Sequence, residues 1–294
     1  MAQHLSAQQL QISGAAMDIK HILFPTDFSE NAENALPFVL EVAKRTGAKI
    51  TLLHVIETPS YVTHDADSLP KTHSQKAKNM LADVAERIGS DDQHTELQIE
   101  TMLHNGTVVT EILDASKETD IDLVVMGTKG KTQMDRILFG SIAAHVILGS
   151  QVPVLAVPEN CHTLTFDPIT FATDYRAGDW QALKHTIGWA RMFNSDLNVL
   201  HVSAARDLQT DIKFRGFRDL VQEKVNNHPI QFDLVIQKQF LSGVADYLTE
   251  HPVGMLVLVR YKKNRIEALL QKNHTKELSY YSKVPLLVLP GELD

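Results

Sequence analysis

The 294-residue chain carries one cysteine, Cys161. An internal disulfide is therefore excluded, and a reducing compartment, the cytoplasm, is the expectation. No apolar run approaches the roughly 18 residues that a membrane-spanning helix requires, so no membrane span is expected. Basic residues are outnumbered, with 28 Lys and Arg against 36 Asp and Glu for a formal net charge of −8. That balance argues against a nucleic-acid partner, which would usually be met by a basic face. The 14 histidines show no metal-ligand spacing. Met1–Ala16 is polar and has no basic start leading into an apolar stretch, so no signal peptide is expected and residues 1–18 read as a tail.

Two common phosphate-binding signatures are also missing. Gly130-Lys131-Thr132 resembles the end of a Walker A loop, but the position where that loop needs its first glycine is Val125. The dinucleotide pattern G-x-G-x-x-G fails as well, because two and nine residues separate Gly127, Gly130 and Gly140. Nothing in the chain matches a Walker B aspartate, a kinase catalytic loop or an arginine finger, so no catalytic residue for efficient phosphoryl transfer is assigned.

What is present is a regular alternation of strand and helix patterns. The composition, 44% apolar and 22% charged, is that of a globular protein, and the length suits about two domains. In the first half, strands are expected at Ile19–Phe24, Lys49–Ile56, Leu97–Leu103, Ile121–Met126 and Val152–Val157. Helices are expected at Asn31–Arg45, His73–Ile88, Val108–Lys117 and from Ile142 to Leu148, with Glu57–Lys71 a long loop. Such alternation implies right-handed crossovers and a parallel sheet covered on both faces. Ligands of these sheets bind beyond the carboxyl ends of the strands, where strand order reverses.

The stretch Gly127–Ser141 carries the chemistry. It leaves a buried strand and reaches a helix whose first turn Ser141 is placed to cap. Unpaired amides and the helix dipole at such a position both favour an anion. Gly127, Gly130 and Gly140 are points where backbone can approach a ligand closely, although glycine serves plain turns equally well. Lys129 and Lys131 are candidates to neutralise phosphate, or are simply solvated. The spacing G-x2-G-x9-G-[S/T], with Pro25-Thr26-Asp27-Phe28-Ser29 after the first strand and Leu53-His54-Val55 in the second, resembles the universal stress protein family over nearly all of residues 19–158.

That resemblance implies an α/β fold of the adenine-nucleotide α-hydrolase-like type and an ATP site. Pro25, Thr26 and Asp27 would belong to the nucleotide site, with Asp27 meeting the ribose or the adenine edge, and Val55 would bind adenine through its backbone. Met126, Gly127, Gly130, Gly140, Ser141 and Ile142 would surround the ribose and phosphates, with Mg accompanying the phosphates and no metal held by side chains alone. Asp27 is alternatively a turn or N-cap aspartate. His54 reads as a packed histidine rather than a ligand.

The pattern then restarts. Ala172-Thr173-Asp174-Tyr175 echoes Pro25–Phe28, Trp180–Phe193 echoes the first helix, and Leu200-His201-Val202 echoes Leu53-His54-Val55. Further segments at Ile230–Ile236, Val244–Leu248, Met255–Val259 and Val284–Leu289 complete a smaller copy. The fold expected is thus two tandem doubly wound five-stranded parallel-sheet domains, at 19–158 and 166–291. In the second copy Arg260, Lys263 and Asn273 stand in place of the three glycines, so its nucleotide site should be degenerate. The cluster Arg260, Lys262, Lys263 and Arg265 is either an anion site or a solvated loop.

One competent ATP site per chain is therefore expected, in a regulatory protein with weak hydrolysis or none. The alternatives are a slow ATPase or phosphotransferase using Asp27 or Ser141, and a nucleotide-free interaction scaffold. The resemblance further implies pairing through fifth strands. The tandem chain would satisfy this internally, Val152–Val157 against Val284–Leu289, and a homodimer is compatible with it.

Overall fold

The computed structural model describes residues 18–58, 71–118, 120–129, 138–176, 178–225, 228–261, 281 and 283–291. Gly130, Lys131, Lys262, Lys263, Arg265 and Asn273 lie outside the described residues, as does most of the Glu57–Lys71 loop. The first half contains β1 (His21–Pro25), α1 (Glu30–Thr46), β2 (Lys49–Glu57), α2 (Lys71–Gly89), β3 (Ile99–Gly106), α3 (Val108–Glu118), β4 (Leu123–Gly127), α4 (Ser141–Gly149) and β5 (Val154–Val157). The second contains β6 (Ile169–Ala172), α5 (Asp179–Phe193), β7 (Leu197–Ser203), α6 (Leu208–Lys224), β8 (Ile230–Ile236), α7 (Phe240–Glu250), β9 (Met255–Arg260) and β10 (Leu286–Pro290).

The chain forms two compact units, Asp18–Thr165 together with the chain from Arg260 onward, and Phe166–Val259. In the first unit the strands run β3-β2-β1-β4-β5, all parallel. The chain steps outward from β1 to β3 and then returns to the other side of β1, so strand order reverses between β1 and β4. β10 joins this unit by antiparallel pairing with β5, with Leu286 opposite Ala156 and Val288 opposite Val154. In the second unit the parallel order is β9-β6-β7-β8. The doubly wound α/β architecture is the one the alternating pattern implies. The last strand of the second half is grouped with the first unit, where it pairs with β5.

Burial follows position in each sheet. β4 and β5 are buried along their whole length, which is why their sequences are continuous apolar runs. The edge strands β3 and β8 are only partly covered and mix polar with apolar residues. α1 starts at Ser29, whose hydroxyl accepts the Ala32 amide, and stops at Gly47 in the left-handed region with φ 73°. Its buried face, including Ala35, Val39, Val42 and Ala43, packs on the sheet. Each fully buried valine of this face contributes roughly 1.5–3 kcal/mol.

One helix is not anticipated by the sequence pattern. α6 buries little beyond Thr210 and Val221 and carries Gly216 in its middle, so an amphipathic stripe is barely written in it. Its signal is the cap: the Asp207 carboxylate accepts the Thr210 amide at 2.8 Å.

Candidate functional site

The reversal of strand order brings the carboxyl ends of β1 and β4 side by side, with Ile22 opposite Leu123 and Leu23 opposite Val124. β2 flanks β1 on its other side and delivers Val55, half-buried, near its own carboxyl end. Pro25 ends β1, Thr26 and Asp27 follow it, Met126 and Gly127 end β4, and Gly140 precedes α4. Of the sequence-expected site residues, then, the described ones fall on strand ends, on the loops leaving β1 and β4, or, for Ser141 and Ile142, on the first turn of α4.

The loop after β1 is tightly tied. The Thr26 amide donates to the Leu53 carbonyl at 2.8 Å, and its hydroxyl accepts the Phe28 amide at 3.1 Å. Asp27 Oδ1 accepts the Ser29 amide at 3.0 Å, a turn-forming bond, and Ser29 rather than Asp27 caps α1. Phe28 is held at φ 59°, a conformation that costs a bulky residue energy. His54 Nδ1 lies 2.7 Å from the Thr26 carbonyl oxygen, and its ring packs on Phe28 at 4.6 Å between centroids. A carbonyl only accepts, so the bond places a proton on Nδ1.

The loop after β4 is tied to α1. Asn31, buried at the start of α1, donates through Nδ2 to the Lys129 carbonyl at 2.8 Å. A Cβ on Gly127 would stand 2.6 Å from that Nδ2 and 2.9 Å from the Asn31 carbonyl oxygen, so a glycine is required here by packing alone. The Thr128 amide donates to Val157, and the Gly140 amide returns to the Thr128 carbonyl at 2.7 Å. The two ends of the glycine loop are thus pinned together.

Two local expectations are corrected. Ser141 does not cap α4: Gly140 occupies the N-cap, no side chain caps the first turn, and Ser141 and Ile142 are exposed as its first two residues. The reason is that Gly140 already has the extended φ/ψ of a cap, which moves Ser141 inside the helix. Lys129 is not a solvated lysine: its side chain is 14% exposed, and Nζ lies 2.7 Å from Glu159 Oε2. The Arg260 guanidinium is likewise occupied, donating through Nη2 to the Ser150 carbonyl at 2.6 Å, and burial lowers its pKa.

The second unit repeats the β1 loop 147 positions later. Thr173, Asp174, Tyr175 and His201 take the places of Thr26, Asp27, Phe28 and His54. His201 Nδ1 donates to the Thr173 carbonyl at 2.7 Å, the Tyr175 amide donates to Thr173 Oγ1 at 2.9 Å, and Tyr175 has φ 58°. The Tyr175 and His201 rings are 4.2 Å apart. What changes is the helix start. The buried Asp179 carboxylate accepts from Thr173 Oγ1 at 2.6 Å and from the amides of Asp174 and Arg176, where the first copy has Ala32 at the matching position.

Sequence reasoning missed Asn31, Glu159 and Asp179. Their partners lie at sequence separations that no local pattern encodes, except for Asp179, whose place at the start of a helix is a readable cap-region signal.

These features define a class by fold: a doubly wound α/β unit whose switch point holds a glycine loop with pinned ends and a helix start without a side-chain cap, the place beyond the strand ends where ligands of such folds bind. Comparisons with known proteins narrow that class. A family model described as the universal stress protein family matches residues 18–158. The chain is 30% identical to universal stress protein MJ0531 of Methanocaldococcus jannaschii over 138 residues, which are 47% of this chain and 81% of that one. It is 32% identical to universal stress protein MJ0577 of the same organism over 152 residues, 47% of this chain and 94% of the relative. A solved universal stress protein from Archaeoglobus fulgidus matches with TM-score 0.71 and 22% identity over 94% of this chain and 98% of its own, a likeness of fold. The chain belongs to the universal stress protein family.

Proposed function

We propose that this is an ATP-binding regulatory protein with one competent site, in the domain spanning 19–158, and a degenerate second copy spanning 166–291. The observation that carries the reading is the juxtaposition, at the switch point between β1 and β4, of the Asp27 loop with the uncapped amide end of α4 behind Gly140. Amides there, with the Ser141 hydroxyl, suit the phosphates. Pro25, Thr26, Asp27 and the Val55 backbone suit the nucleoside. Mg would accompany the phosphates and supply charge neutralisation, and Lys129 stands two residues past Gly127 to share in it. The G-x2-G-x9-G-[S/T] spacing and membership of the family support the same assignment.

In the second copy the residue in place of Gly127 is Arg260, committed to Ser150. That supports a copy retained for structure. The antiparallel bonds between β5 and β10 support pairing of the two copies within one chain, which would cover two strand edges. Among the described residues no helix is long and apolar enough to cross a membrane. We read the protein's output as its state of occupancy, with hydrolysis slow at most.

The test is calorimetric titration of the full chain with Mg-ATP, in the native protein and in Gly140→Arg. The reading requires binding that this side chain abolishes. Equal binding by the variant would place the ligand elsewhere.

A further inference from the structure

We propose that His54 is a positioning residue of the nucleotide site: its Nδ1–H clamp on the Thr26 carbonyl, closed by Phe28, holds the Asp27 loop in a strained ligand-ready turn. The inference rests on the nucleotide reading above and extends it to a residue with no assigned contact to ligand.

Four observations converge. Phe28, a bulky residue, stands at φ 59°, and such strain persists only where surrounding structure over-determines it. The surrounding structure is identifiable: the 2.7 Å bond from His54 Nδ1, the Thr26 hydroxyl accepting the Phe28 amide, and the ring of Phe28 lying 4.6 Å from that of His54. The Thr26 amide is fixed to Leu53, the residue beside His54, so β2 holds both polar groups of Thr26's backbone. Finally, the whole device recurs in the second unit, with φ 58° at Tyr175, 2.7 Å from His201 Nδ1 to the Thr173 carbonyl, and 4.2 Å between rings.

The recurrence separates local architecture from ligand positioning. The clamp fixes the direction in which the residue between its anchor and its strained aromatic, Asp27 or Asp174, presents its carboxylate. In the first copy that carboxylate accepts the Ser29 amide at 3.0 Å, on the loop leaving β1, the strand that pairs with β4. In the second its loop is tied instead to the buried Asp179, which accepts the Asp174 amide at 2.9 Å. Ordering the Asp27 turn before ligand arrives removes an entropic cost of binding. Losing the clamp should therefore weaken ATP without removing any atom that touches it.

Three variants of the full chain test this, each titrated with Mg-ATP and melted by circular dichroism. His54→Leu, which keeps the bulk and drops the donor, should bind ATP about tenfold more weakly, the worth of one hydrogen bond. His54→Asn, whose amide can stand in for Nδ1–H, should recover most of that affinity. His201→Leu should lower the melting temperature to a similar extent as His54→Leu and leave ATP affinity unchanged. Should His54→Leu fail to fold, His54→Gln, with its donor displaced by a methylene, takes its place in the comparison. Native-like affinity in the donor-lacking variant, no rescue by His54→Asn, or an equal loss in His201→Leu would each overturn the proposal. Absence of ATP binding by the unmodified chain would instead overturn the nucleotide reading on which it rests.

Discussion

Asn31 and Gly127 meet so closely that a methyl group cannot be placed between them: a Cβ on Gly127 would lie 2.6 Å from Asn31 Nδ2 and 2.9 Å from its carbonyl oxygen. The glycine that looks like a ligand cradle in the sequence thus has a structural reason as well. Gly127→Ala should destabilise the chain by about 1–3 kcal/mol, the usual cost of overpacking. Combining it with Asn31→Ala should restore only part of that loss, because the Asn31 backbone oxygen stays in place. Thermal melts of the two single variants and the double variant check this.

Lys129 and Glu159 link the glycine loop to the segment after β5 at 2.7 Å. If phosphate and Glu159 compete for the same ammonium, Glu159→Gln should tighten Mg-ATP binding a few-fold, since one competing negative charge is gone. Lys129→Met should weaken binding by a similar factor. Both effects should shrink at high salt, because the charges are partly exposed and screening acts on them. Titrations at two ionic strengths measure this.

Cys161 is buried, and desolvation pushes its thiol up to about 11 from an ordinary value of 9.0. The folded state therefore holds the proton over a pH range in which the unfolded chain releases it. By linkage, this group's contribution to stability is intact below about pH 9 and declines as pH climbs toward about 11. Denaturant unfolding at pH 7, 9 and 10 should show that decline, and Cys161→Ala should flatten it. The native thiol should also resist alkylation at pH 8 until the chain is unfolded.

Arg260 Nη2 donates to the Ser150 carbonyl at 2.6 Å, just beyond the end of α4. Arg260→Met should cost about 1.5–3 kcal/mol, as a charge-assisted hydrogen bond is lost and a buried carbonyl is left unpaired. Nucleotide stoichiometry should not change, since the residue is bound to the end of α4 and lies outside the proposed site. A melt combined with calorimetry on this variant separates the two effects.

Much of the fold is legible in the sequence because its signals are local. The continuous apolar runs at Val124–Met126 and Val154–Val157 mark strands covered on both faces, and both are buried throughout. α1 falls where the sequence places a helix, expected at Asn31–Arg45 and found at Glu30–Thr46. α6 is harder to read by the same measure, since its apolar residues are spread over more than one face, with Leu208, Ile212 and Leu220 exposed and only Phe214, Phe217 and Val221 turned toward the unit. The site divides likewise. The placement of Asp27, Met126, Gly127, Gly140 and Ser141 at strand and helix ends follows from alternation and spacing. The bonds that fix them do not: Asn31 to Lys129 spans 98 positions and Arg260 to Ser150 spans 110. Only the folded sheet, with β4 laid beside β1, creates such pairs. Ser141 shows a subtler limit, as one residue of shift at a helix start changes a cap into the first helical position.

We propose one ATP per chain, held by the first copy. The most direct test is the nucleotide content of the purified full chain, measured by mass spectrometry after denaturation and matched by the stoichiometry of Mg-ATP calorimetry. One equivalent, absent from Gly140→Arg and retained in Arg260→Met, is the predicted result. Two equivalents, or one that survives Gly140→Arg, or none at all, would rule out a single ATP site in the first copy.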